Sequence, residues 1–185
     1  MLIFFDCEFT DLLPDAGLIS IGLAAERDVV KPLYIELSEG WTRDGCSNFV
    51  LTTVLPLLGR HHPFQISREE TATRIQEWLD NLRRGDREKK LIFLSDNNMD
   101  WFYLLGLFPS KPGDAPWPSR FNVEGRNVLN ELIQEKADLR EFNEALEDFF
   151  QQRAQVSLQR GGERHHALID ALAIRHAWQV AFQGR

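Results

Sequence analysis

The stretch Phe4-Phe5-Asp6-Cys7-Glu8-Phe9-Thr10 (FFDCEFT, residues 4–10) places two acids in an otherwise apolar run. A β-strand alternates its side chains, so Asp6 and Glu8 point to the same face of one strand. Like charges side by side repel, and burial sharpens the repulsion. A divalent cation is the natural partner for such a pair. Cys7 then faces the other way and reads as a small buried hydrophobe. The flanking Phe4, Phe5 and Phe9 argue against a solvated strand face.

The rest of the chain bounds what such a strand can belong to. With 185 residues it is long enough for one domain with a real core, taken as residues 1–185. The apolar fraction of 43% is ordinary for a globular protein. No apolar run reaches the roughly 18 residues of a membrane span. The N-terminal MLIFFDCEFT lacks a basic leader and a cleavage site, so it does not read as a signal peptide. Two cysteines, Cys7 and Cys46, cannot build a disulfide framework, and no zinc spacing exists. A cytoplasmic location is the expectation. A net charge of -7 counts against non-specific binding of long nucleic acid, which phosphate neutralisation drives. It is compatible with action on a short oligonucleotide end, where bound ions would supply positive charge.

Outward from the first strand, LISIGLAAE (18–26) and VKPLYIEL (30–37) read as two further strands, giving an antiparallel meander. Residues 48–58 (NFVLTTVLPLL) fit a helix or a buried strand, and helix is favoured. Ser67 with Glu70 fits a capping box, followed by Ile75, Trp78, Leu79 and Leu82 at helical spacing and a stop at Gly85. KKLIFLSD (89–96) is a fourth strand, DWFYLLGLF (100–108) a short helix and FNVEG (121–125) a fifth strand. LREFNEALEDFFQQR (139–153) and ALIDALAIRHAWQVAF (167–182) are helices, separated by a loop carrying Gly161 and Gly162. The order predicts an α/β fold with a mixed sheet covered by helices.

Two more segments carry chemistry. In SDNNMDWFYL, Asp96 ends a strand and competes with Ser95, Asn97 and Asn98 to cap the next helix. Asp100, one turn later, could point back over the end of the first strand, or be an acid favoured by the helix dipole. In HHALID, five helical residues advance about 140° beyond a full turn, so His165 and Asp170 would not share a helix face. The geometry works if His165 precedes the helix, on the Gly161–Gly162 loop. His166 is its rival. Arg60, Arg160 and Arg164 could meet phosphates, though isolated surface arginines seldom have so specific a role.

Taken in order, DCE in the first strand, NNMDWFYL after the fourth and HHALID opening the last helix resemble the three motifs of the DEDD exonuclease superfamily. The histidine five residues before the last acid resembles its DEDDh branch, which includes ribonuclease T and oligoribonuclease. FFDCEFT followed by LISIGLAAE is most similar to a compact bacterial exoribonuclease group typified by a small mycobacterial enzyme. Asp100 with Tyr103 and Leu104 fits the second motif, and Asp96 does not. His165 stands at the matching distance from Asp170. Asn97-Asn98-Met99 departs from the family's usual His-Asn-x-x.

The resemblance implies a ribonuclease-H-like fold with a mixed five-stranded sheet, antiparallel over strands 1–3 and then parallel. It implies that Asp6, Glu8, Asp100 and Asp170 gather two Mg²⁺ or Mn²⁺ ions and that His165 is the general base. All four ligands are oxygen donors, which suits these ions over zinc. Phe9 and Thr10 would line the pocket for the 3′-terminal nucleotide. The implied activity is 3′–5′ hydrolysis at short single-stranded RNA ends, releasing nucleoside 5′-monophosphates. A DNA exonuclease and a non-catalytic binding module are the alternatives. The family habit is also compatible with a homodimer.

Overall fold

Strand β1 (Leu2–Phe9) runs through mid-sheet with both faces covered. Its odd-numbered side chains Ile3, Phe5, Cys7 and Phe9 enter the larger apolar core. On the other face Phe4 enters a smaller core, and Asp6 and Glu8 continue that same row. The computed structural model describes residues 1–13, 15–86, 88–109, 116–156 and 163–182. The readings placed on Arg160 and the Gly161–Gly162 loop lie outside the described residues.

Strand β2 (Leu18–Ala25) pairs antiparallel with β1, and β3 (Leu33–Leu37) pairs antiparallel with β2. Strand β4 (Phe64–Ile66) adds to the outer edge of β3. On the other side of β1, β5 (Leu91–Ser95) and then β6 (Val123–Asn127) pair in parallel. The sheet order is β4-β3-β2-β1-β5-β6. The five expected strands are present with the expected directions. The sixth, β4, escapes prediction because three mostly exposed residues carry no readable alternation. Strand β6 starts two residues later than FNVEG, since Asn122 adopts a left-handed backbone (φ 48°) in the preceding turn.

Helix α1 (Arg68–Arg83) opens with the expected capping box: Ser67 Oγ accepts from Glu70 N–H, and Glu70 accepts from Ser67 N–H. Helix α2 (Asn98–Gly106) is capped by Asn97, whose Oδ1 accepts from Met99 N–H at 3.0 Å. Helix α3 (Trp117–Arg120) is a single turn. Helix α4 (Val128–Gln134), unforeseen in the sequence, is capped by Asn127. Helices α5 (Leu139–Val156) and α6 (Ala167–Ala181) follow. Residues 48–58 are helical but irregular: Leu55 N–H reaches back to Val50, and Pro56 begins a tighter turn over Leu55–Leu57. Helices α1 to α3 cover the face of Phe5, with Ile75, Leu79, Leu104 and Trp117 in its core. Helices α4 to α6 cover the face of Phe4, with Leu132, Phe142, Ile174 and Trp178.

One close approach sets where α6 begins. Gly22 pairs with Asp6 across the β1–β2 ladder. A Cβ on Gly22 would lie 2.4 Å from Leu168 Cα and 2.5 Å from Ala167 carbonyl carbon, both backbone atoms. The missing side chain lets the first turn of α6 rest directly on the sheet, next to Asp6. Gly22→Ala is therefore expected to overpack this contact, destabilising the protein by about 1–3 kcal/mol. Thermal denaturation would show a drop of several degrees; an unchanged melting temperature would refute the contact.

Candidate metal centre and active site

Three chain segments meet beside the carboxyl end of β1. Strand β1 supplies Asp6 and Glu8. Its parallel neighbour β5 ends at Ser95, so Asp96 and, from the first turn of α2, Asp100 arrive at the same edge. Asp170 lies in the first turn of α6, which Gly22 seats on the sheet. All five acids line one cavity of about 920 Å³, together with Phe9, Leu12, Phe49, Arg164 and His165. The acids and His165 fall into two groups. Oxygens of Asp6, Asp96 and Asp100 lie within 4.8 Å of one another, as do ligand atoms of Glu8, His165 and Asp170.

Crowding and burial act together on the carboxyls. Burial raises Asp6 well above the usual range, and Asp100, Asp170, Glu8 and Asp96 add repulsion. Glu8 is raised well above its usual range by burial and then by Asp170, Asp100 and Asp96. Burial, with Asp96 next, brings Asp100 to about 8. Burial also brings Asp170 to about 8, although the His165 N–H tempers the rise. Asp100 is 1% exposed, and neither of its oxygens meets a donor at full hydrogen-bond geometry among the described residues, the Cys7 and Asn97 N–H groups and the Ser95 hydroxyl giving it only partial relief. A buried carboxylate without a donor is strongly disfavoured, and a cation supplies what is missing. A set of oxygen donors with one imidazole suits a hard or borderline divalent cation. The residues present therefore fit a divalent metal.

His165 precedes α6 and does not belong to it. Its backbone N–H donates to Asp170 Oδ2 at 2.8 Å, so the acid reaches back across the helix start. This contact accounts for the five-residue spacing that a continuous helix could not satisfy. It also holds His165 at φ 68°, a left-handed conformation in which histidine is enriched. The half-buried ring meets Phe49 edge-on at 5.0 Å, and burial followed by Arg164 lowers its pKa. His166 goes elsewhere. It is 1% exposed, packs between Tyr34 and His61, and burial lowers it to about 4. Two residues before His165, the Glu163 carboxylate meets His61 at 3.1 Å, Arg153 at 2.5 Å and Arg60 at 3.5 Å.

Phe9 lines the cavity and stacks on Tyr103 at 4.8 Å. Thr10 is placed differently. Its hydroxyl accepts from Gly17 N–H at 2.9 Å to close the β1–β2 turn, and it borders a separate depression with Gly17 and Trp41. Several lining residues were not read as such in the sequence. Asp96 is one of four candidates for the helix cap by sequence, and Asn97 takes that place. Phe49 belongs to the segment that fits a helix or a buried strand, and it is 53% exposed at the cavity. Leu12, 76% exposed, lines it from the connection between β1 and β2. Arg164, one of the surface arginines, lines the cavity, ion-paired to Glu147 at 2.8 Å.

No protein-family model matches the chain, and no curated protein matches it in sequence. A solved structure does match it in shape. This is a 3′-exonuclease, described in its 3′-end specific recognition of histone mRNA stem-loop. The TM-score is 0.58 at 12% identity, covering 96% of this chain and 79% of that one. The fold is ribonuclease-H-like. Among the described residues, no helix is long and apolar enough to cross a membrane.

The raised carboxyls set a pH dependence of definite sign. A folded acid at about 8, against an ordinary 3.8, holds protons that the unfolded chain has released. Stability without metal therefore falls as pH rises through that window. Above pH 6.5, His165 and His166 are both neutral and do not oppose the trend. In EDTA the melting temperature is expected to fall by several degrees between pH 6.5 and 8.5. Mn²⁺ at a hundredfold excess over its Kd should restore about 2.7 kcal/mol, on the order of 5–10 °C for a domain of this size. Melting curves indifferent to both pH and Mn²⁺ would rule out the metal centre.

Proposed function

We propose that this protein is a metal-dependent 3′–5′ exonuclease. It would act on short single-stranded RNA 3′ ends and release nucleoside 5′-monophosphates. The observation that carries this reading is the convergence of Asp6, Glu8, Asp100 and Asp170 on one cavity with His165 at its edge. The ribonuclease-H-like fold and its likeness to a 3′-exonuclease support it.

Asp6, Glu8, Asp100 and Asp170 would hold two divalent ions, whose positive charge returns the raised carboxyls to their ionised form. Bound there, the ions supply Lewis acidity toward the phosphodiester and toward the attacking water. His165 accepts the proton of that water. Its lowered pKa keeps the imidazole neutral, and so basic, at pH 7. Asp170 holds the backbone that carries this ring. Phe9, Leu12 and Phe49 give the terminal base an apolar wall, and aromatic faces accept any base by stacking. Arg164, at the same cavity, could exchange Glu147 for a phosphate.

The test uses 5′-labelled and 3′-labelled RNA and DNA oligomers with Mg²⁺, Mn²⁺ or EDTA. Stepwise shortening from the 3′ end that stops in EDTA is expected, with RNA preferred. Degradation of DNA alone would move the substrate to deoxyribonucleotides. No cleavage of any oligomer would end the nuclease reading. Asp6→Ala should abolish activity in a folded protein. His165→Ala should lower kcat by about 10²–10⁴-fold, the usual share of a general base. His166→Ala should leave kcat within a few fold; the reverse ranking would transfer the role to His166.

A further inference from the structure

The four-acid set does not use all the carboxylates at the cavity. Asp96 directly follows β5, at the edge where β1 and β5 run side by side in parallel. Its carboxylate lies within 4.8 Å of those of Asp6 and Asp100. The usual occupation of an acid at this point, capping the next helix, belongs to Asn97. The backbone of Asp96 is held from the neighbouring strand, because Asn127 Nδ2 donates to its carbonyl at 3.0 Å. The same amide reaches Asn98 Oδ1 at 3.3 Å. The turn is fixed from β6, and the acid stays beside the other two.

A second observation points to a ligand between these groups. Asp100 is 1% exposed, lines the cavity, and neither oxygen meets a donor at full hydrogen-bond geometry among the described residues; the Cys7 and Asn97 N–H groups and the Ser95 hydroxyl only temper the rise that burial and Asp96 cause. Three carboxylates this close can ionise together only when a cation sits among them, and without one they share protons instead.

We infer that Asp96 is a fifth carboxylate of the metal centre, a ligand to the ion held by Asp6 and Asp100. This rests on the two-ion reading above. The centre is then asymmetric. One ion faces three carboxylates, Asp6, Asp96 and Asp100. The other faces two, Glu8 and Asp170, beside the neutral imidazole of His165. Mg²⁺ and Mn²⁺ accept a partly hydrated shell, so the exposure of Asp96 at the cavity mouth is no obstacle. The two ions should bind with separable affinities, and Asp96 should govern one of them.

Calorimetric titration with Mn²⁺ tests this on wild type, Asp96→Asn, Asp96→Ala and, as an exposed acid outside the cavity, Asp44→Asn. Melting curves in EDTA confirm that each variant is folded. Both Asp96 variants are expected to weaken one Mn²⁺ site at least tenfold while moving the other less than threefold. Asp44→Asn should move neither. Asp96 variants that bind as wild type does would overturn the fifth ligand and leave the exonuclease reading standing. Equal weakening by Asp96→Asn and Asp44→Asn would overturn it as general charge loss. A wild-type protein that takes up no Mn²⁺ would overturn this inference together with the two-ion reading.

Discussion

Like charges held where water is scarce are the constraint on which the structure turns. Asp6 and Glu8 share a row with the buried Phe4, on a strand covered on both faces. Asp100 and Asp170 then arrive from two helices that begin at the same end of the sheet. Every local choice around them brings carboxylates together. Gly22 admits α6 to the sheet, and Asn97 takes the helix cap that would otherwise have engaged Asp96. The apolar cores on either face hold this arrangement in place. Burying each large side chain is worth about 1.5–3 kcal/mol, and Phe4, Phe5, Phe93 and Leu79 are fully enclosed.

Much of this was legible in the chain because the signals are short-range. The alternation of FFDCEFT put both acids on one face, and the Ser67–Glu70 capping box and the Ile75–Leu82 spacing marked α1. The long helices and five strands followed from the same two periodicities. What escaped detection depends on distant partners. Gly22 reads as an ordinary strand glycine until α6, far along the chain, is laid against it. Asp96 has three rivals for one cap, Ser95, Asn97 and Asn98, and local chemistry ranks them poorly. Phe49 looks like core because its segment is apolar, and only the tertiary fold shows it standing at the cavity. Thr10 shows the opposite effect, since the turn engages a hydroxyl that motif position alone would give to substrate.

The histidine pair shows how far spacing alone can go. His165 and His166 are adjacent and chemically identical in sequence. Their separation comes from Asp170, which draws the His165 backbone into a left-handed turn and so sends the two rings in different directions. One ring faces the acids, and the other is enclosed against Tyr34.

The Glu163 ion-pair cluster gives this short segment a mechanical character. His165 is tethered on both sides, five residues ahead by Asp170 and two residues behind by Glu163, which is clamped to His61, Arg153 and Arg60. A peptide so short and held at both ends behaves as a strut with little slack. The contacts at the two anchors therefore fix where the imidazole stands. His61 and Arg153 lie outside the cavity, yet they share control of where its only histidine among the described residues stands.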